Sequence, residues 1–210
     1  MSYIGNYLKA IVIVHGKSEL QMCNFIKNKL RLNNIDIISK NNGKHSIQIS
    51  SVMKRLNGKD INTLDNFKNT YNDYLEIKNH KTIIDKDFKI FIIMDTDDCN
   101  NDEEKDNFIN KNMFKNYWAY DYILPIYNIT NLEDVLIKAE IIDKNAIKNK
   151  KDKKNYIKIF PITKQDIESD IKQIEEFYKK LLKVKNISNM HKFIKFCLDN
   201  RHIHKKTNNK

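Results

Sequence analysis

Phe88-Lys89-Ile90-Phe91-Ile92-Ile93-Met94-Asp95-Thr96-Asp97-Asp98 is the stretch on which the fold turns. A short, almost wholly apolar run rich in Ile and Phe predicts a strand buried on both faces, as in a parallel sheet covered by helices. The run stops abruptly in carboxylates. Open α/β sheets bind their ligands beyond the C-terminal ends of their strands, so this acidic end is the first place to look for chemistry.

Outward from it, Lys9 to Val14 (K-A-I-V-I-V) predicts a second buried strand, broken by His15-Gly16. From Lys17, apolar residues Leu20, Cys23, Ile26 and Leu30 recur at helical spacing, with Glu19 in the first turn, where an acid is favoured. Ile35 to Ser39 predicts a short strand, and Asn41-Asn42-Gly43 is turn chemistry. Ile47 to Gly58 fits a helix, Phe67 to Leu75 another, and Asn100 to Phe114 a loop and polar helix. Tyr122 to Tyr127 predicts a strand whose Pro125 suits an edge or an irregularity. Leu132 to Ala139 predicts a helix capped by Asn131. Alternation of this kind predicts an α/β fold with a parallel or mostly parallel sheet and helices on both faces. The expected organisation is a catalytic domain over 1–142, a basic connector over 143–156, a helical extension over 157–201 and a basic tail over 202–210. Within the extension, Ile157 to Phe160 predicts a last short strand, Gln165 to Val184 a long amphipathic helix and Met190 to Leu198 a final one. The stripe on the long helix fits either core packing or an oligomer face.

The chain has 210 residues, 40% hydrophobic and 31% charged, which suits a globular protein able to bury a core. Its net charge of +11 favours polyanions such as nucleic acid, although a Lys-rich surface also arises from an AT-rich genome. The charge is segregated. Lys144 to Lys154 and His202 to Lys210 are basic, with Lys150, Lys151, Lys153 and Lys154 expected to follow a nucleic-acid backbone, whereas Asp95 to Asp106 is acidic. Cys23, Cys99 and Cys197 have no metal-ligand spacing. Ala10 to Val14 is too short for a membrane span or a signal peptide, and the expected location is the cytoplasm, with no membrane partner.

Asp95 and Asp97 carry the strongest chemical signal. In a strand, residues two apart share a face. Two anions so placed repel and call for a cation, and oxygen ligands suit Mg²⁺ or Mn²⁺ shared with a phosphate. The plain alternative is an acidic turn, to which Asp98 and Asn100 add weight. His15-Gly16-Lys17-Ser18-Glu19 ends the first strand, and if that strand neighbours the third, Glu19 and His15 approach the aspartates. Glu133 opens a later helix and serves either as a further ligand or as a simple first-turn acid. Lys17 and Lys44 stand beside Gly-containing turns as phosphate binders. A nucleotide-binding G-x-x-x-x-G-K-[ST] loop is excluded by Ile11, where its first Gly belongs. His45, His80 and His191 are isolated.

A hydrophobic strand followed by x-G-x-x-E, and later a strand followed by D-x-D, resembles the Toprim domain of topoisomerases, bacterial primases and several nucleases. The resemblance covers about residues 9 to 140, and V-I-V-H-G-K-S-E with the later N-L-E-D is most similar to the OLD- and RloB-like nucleases. It implies a Rossmann-like sheet and metal held by Asp95, Asp97 and Glu19, with Glu133 at the later acidic position. It further implies metal-dependent cleavage of DNA or RNA, in the setting of phage defence or mobile elements. One departure stands out: His15 occupies the place of the family's usual Glu. A His there either binds metal or transfers protons near neutral pH, or marks a domain that keeps the fold as a nucleic-acid or partner-binding module without catalysis. A third reading is a haloacid-dehalogenase-like phosphatase, whose D-x-D-x-[TV] motif this chain departs from at Cys99 and by its mid-chain position.

Overall fold

A computed structural model describes residues 7–78, 81–144 and 167–201. Four parallel strands, β1 (Ala10–Val14), β2 (Ile35–Ile38), β5 (Lys89–Asp95) and β6 (Ile123–Asn128), form the main sheet in the order β2-β1-β5-β6. All five residues of β1 are buried, as are the last six of β5. That two-faced burial is why both strands read as unbroken apolar runs rather than alternating ones.

Helices cover both faces. Ala10, Val12, Val14, Phe91, Ile93 and Ile126 point to one side, against α1 (Lys17–Lys29), α5 (Leu132–Lys138), α6 (Ile167–Leu182) and α7 (His191–Asp199). Ile11, Ile13, Ile90, Ile92 and Met94 point to the other, against α2 (Ile49–Leu56), α3 (Leu64–Thr70) and α4 (Asp102–Ile109). The arrangement is α/β with a Rossmann-like three-layer core. Ile174, Phe177 and Leu181 of α6 are buried in this core, so the amphipathic stripe is used on the chain's own sheet. Phe91 meets the rings of Phe193 and Phe196 edge-on, with centroids 5.2 and 4.9 Å apart.

Among the described residues β5 is the one strand that pairs with β6, which leaves Pro125 on an edge, where its missing amide is tolerated. The chain after α6 returns to β6. Ile129 N donates to Ile187 O, Tyr127 N donates to Asn189 Oδ1, and Asn128 bridges to Ser188. A small antiparallel pair, β3 (Glu76–Lys78) with β4 (Lys81–Ile83), was not expected from the sequence. Strands of three residues rich in Lys and Glu leave no readable alternation. The basic connector, including Lys150, Lys151, Lys153 and Lys154, the expected strand over 157–160 and the tail over 202–210 lie outside the described residues. Among the described residues no helix is long and apolar enough to cross a membrane.

Candidate functional site

The sheet order makes β1 and β5 neighbours, with Val14 beside Ile93, and β5 and β6 neighbours, with Asp95 beside Asn128. Their C-terminal ends therefore open side by side. A cavity of about 660 Å³ lies there, lined by His15, Lys17, Glu19, Lys44, Asp95, Asp97 and Glu133 together with Gly16, Ser18, Gly43, Ser46 and Asn131. Every chemistry-bearing residue of the described chain that the sequence singled out around Asp95 is in this one wall.

Local structure explains each placement. His15 is fixed through its backbone: its amide donates to Ile93 O at 2.9 Å and its carbonyl accepts from Ile47 N at 2.7 Å. Gly16 caps α1, and its amide donates to Glu19 Oε2 at 2.9 Å, the half of a capping box that the N3 acid supplies. Glu19 thus does the structural work of a first-turn acid while also lining the cavity. At Gly43 (φ +75°) an added Cβ would stand 3.0 Å from Lys17 Cα, so only glycine lets the Lys40–Gly43 turn lie against the start of α1 and bring Lys44 beside Lys17. Asn131 caps α5 by accepting from Asp134 N at 2.9 Å, which sets buried Glu133 in the first turn.

The two aspartates differ. Asp97 is exposed, and its amide donates to Thr130 O. Asp95 is 5% exposed. Burial, then the nearby charge of Glu19, pushes its carboxyl up to about 8; Glu133 adds to the effect, while the Asn128 hydrogen bond and His15 oppose it. Asn128 Nδ2 donates to Asp95 Oδ1 at 2.9 Å, and Ser188 Oγ donates to Asn128 Oδ1 at 2.8 Å. Met190 N donates to Ser188 Oγ in turn, so Asp95 is held by a fully buried chain of polar groups running into the C-terminal segment.

Sequence reasoning missed three of these groups. Asp98, taken as weight for a plain acidic turn, has its Oδ2 3.7 Å from His15 Nδ1. Asn128 and Ser188 left no signal, because they are 60 residues apart and meet only in the fold. Cys99 is half-buried, and burial raises its thiol to about 11. His45 shares a hydrogen bond with Asn41, and His191 opens α7, away from the cavity wall.

No family model, curated protein or solved structure matches this chain.

The donor set suits a hard divalent cation: carboxylate oxygens of Asp95, Asp97, Glu19 and Glu133, with no thiolate in the wall. Among the described residues no three such side chains close on one point. They surround the cavity instead. Asp95 supplies the observation that favours a cation, since a carboxylate raised first by burial and then by neighbouring carboxylates gains most from positive charge beside it.

Proposed function

We propose that this cavity binds Mg²⁺ or Mn²⁺ and hydrolyses phosphodiester bonds in DNA or RNA. The observation behind the reading is the convergence of Asp95, Asp97, Glu19, Glu133 and His15 with Lys17 and Lys44 in one cavity at the C-terminal end of a parallel sheet. Buried carboxylates at Glu19, Asp95 and Glu133, with Asp97 and the two lysines on exposed positions, suit a cation and a phosphate side by side. The similarity of H-G-K-S-E and D-T-D to the Toprim motifs points the same way. The setting in phage defence follows from that similarity alone.

In this reading Asp95, Asp97, Glu19 and Glu133 hold the cation. Bound there, the cation would supply charge for the developing phosphate oxygens and make water more acidic. Lys17 and Lys44 bind the phosphate and orient it. His15 stands where a proton can be taken or returned. The net charge of +11 attracts the polyanion to the cavity mouth.

Purified protein incubated with plasmid, single-stranded DNA or total tRNA, in Mg²⁺, Mn²⁺ or EDTA, tests the reading, with Asp95→Ala beside it. Metal-dependent cleavage that disappears in Asp95→Ala is the expected result. Binding without cleavage in any metal would instead favour a nucleic-acid-binding module whose site is disabled at His15.

A further inference from the structure

We infer that Asp98 is a positioning residue for His15, holding the imidazole in the tautomer protonated on Nδ1 and leaving Nε2 as a bare acceptor toward the cavity. Three atoms carry the inference. His15 Nδ1 and both carboxylate oxygens of Asp98 are buried; Nδ1 has no hydrogen-bond partner, and no side chain completes a hydrogen bond to the carboxylate. His15 Nδ1 stands 3.7 Å from Asp98 Oδ2, in side chains only 15% and 13% exposed. The Ile49 amide at the start of α2 also faces the carboxylate, but it does not satisfy the imidazole.

A buried polar group left unpaired is costly, because it has given up water and gained nothing in return. A modest closure between Nδ1 and Oδ2 removes two such costs at once, and hydrogen bonds of this type often tighten only when a site is loaded. The direction of that bond is dictated by chemistry. Burial raises the Asp98 carboxyl and the facing His15 opposes that rise; once ionised, the carboxylate only accepts, so the ring must donate from Nδ1. The other nitrogen then carries a lone pair, because the bond made by one ring nitrogen sets the state of its partner. His15 lines the cavity and its Nδ1 is the buried nitrogen, so Nε2 is the one that substrate or water can meet.

His15 is therefore not a mute replacement for a carboxylate. A bare Nε2 accepts a proton, or a share of a cation, as a carboxylate oxygen would. That use rests on the nuclease reading; the tautomer does not. The Asp95 carboxylate stands on the neighbouring strand end and acts on the same ring only through its charge.

Histidine-labelled protein at pH 8.5, where imidazoles are ordinarily neutral, gives the answer by long-range proton–nitrogen correlation. The His15 signals are assigned from their disappearance in His15→Gln. Wild type is expected to show the Nδ1-protonated tautomer, and Asp98→Ala the Nε2-protonated form that an unconstrained histidine side chain favours. Asp98→Asn, which keeps the shape and an acceptor oxygen, is expected to restore part of the wild-type pattern. An Nε2-protonated His15 in wild type overturns the inference without any variant having to fold. So does a tautomer unchanged in Asp98→Ala. If wild type cleaves nucleic acid, Asp98→Ala is expected to lower kcat at least tenfold with KM little changed; an unchanged kcat would count against the positioning role. Absence of cleavage by wild type would overturn the nuclease reading and leave the tautomer result to decide Asp98.

Discussion

Asp95→Asn should stabilise the metal-free protein, and how far it does so follows from the site. The carboxyl lies 5% exposed among other acids and is raised from 3.8 to about 8, chiefly by burial. A folded carboxyl that holds its proton more tightly than the unfolded one makes the unfolded state easier to ionise. Stability is therefore intact below about pH 4 and falls as pH rises from about 4 through about 8. At about 1.4 kcal/mol per unit, pH 7 lies far enough into this window for a cost of about 4 kcal/mol. Asparagine is the same size, cannot ionise, and still offers an oxygen to Asn128 Nδ2. Allowing for relaxation of the site, a gain of about 2 kcal/mol is expected, or roughly 4–8 °C in Tm for a chain of this length. The assay is thermal unfolding in EDTA at pH 7.5 and again at pH 4. The variant should lead at pH 7.5 and lose its advantage at pH 4. Saturating Mg²⁺ should then raise the wild type by about 3 kcal/mol at a hundredfold excess over Kd and leave Asp95→Asn unmoved. An Asp95→Asn protein no more stable than wild type at pH 7.5 would refute the account of Asp95 as an electrostatic liability awaiting a cation.

Two further predictions concern the edges of the site. Ser188→Ala removes the donor to Asn128 Oδ1 and the acceptor for Met190 N. It should cost about 1–3 kcal/mol, read as a lower urea midpoint with unchanged slope, and a shift below about 0.5 kcal/mol would contradict the buried chain of bonds. Lys17→Ala with Lys44→Ala, assayed for nucleic-acid binding in EDTA, should weaken affinity alike across sequences. It should also flatten the salt dependence by about one unit for each phosphate no longer neutralised; an unaltered slope would remove these lysines from the phosphate site.

The sheet strands around the site were legible because they are buried on both sides. Ala10–Val14 and Lys89–Asp95 have no polar face to hide, so burial wrote itself into consecutive apolar residues. The nearness of Glu19 and His15 to Asp95 was legible too, since a parallel sheet brings neighbouring strand ends together. Pro125, which suited an edge or an irregularity because it has no amide to donate, lies on an edge among the described residues. The rest needed three dimensions. The β3–β4 pair is too short and too charged to show a period. Asp98 looked like one more turn acid, because nothing in a linear sequence says that it faces a histidine 83 positions away. Asn128 was only the last residue of an edge strand until Ser188 came back to meet it.

That return has a consequence for how the protein comes into being. A growing chain that has passed residue 140 already contains every acid that lines the cavity. It does not yet contain the hydroxyl that orients Asn128, which arrives 60 residues after its partner. The β6 edge likewise waits for Ile187 and Asn189 before its last amides are satisfied. Since chains fold as they emerge, the nascent protein carries Asp95 without the full buried chain that orients its partner Asn128 until residue 188 has left the ribosome. On the nuclease reading, an enzyme built in this order is held unfinished until residue 188 is made, while the message that encodes it is still close by.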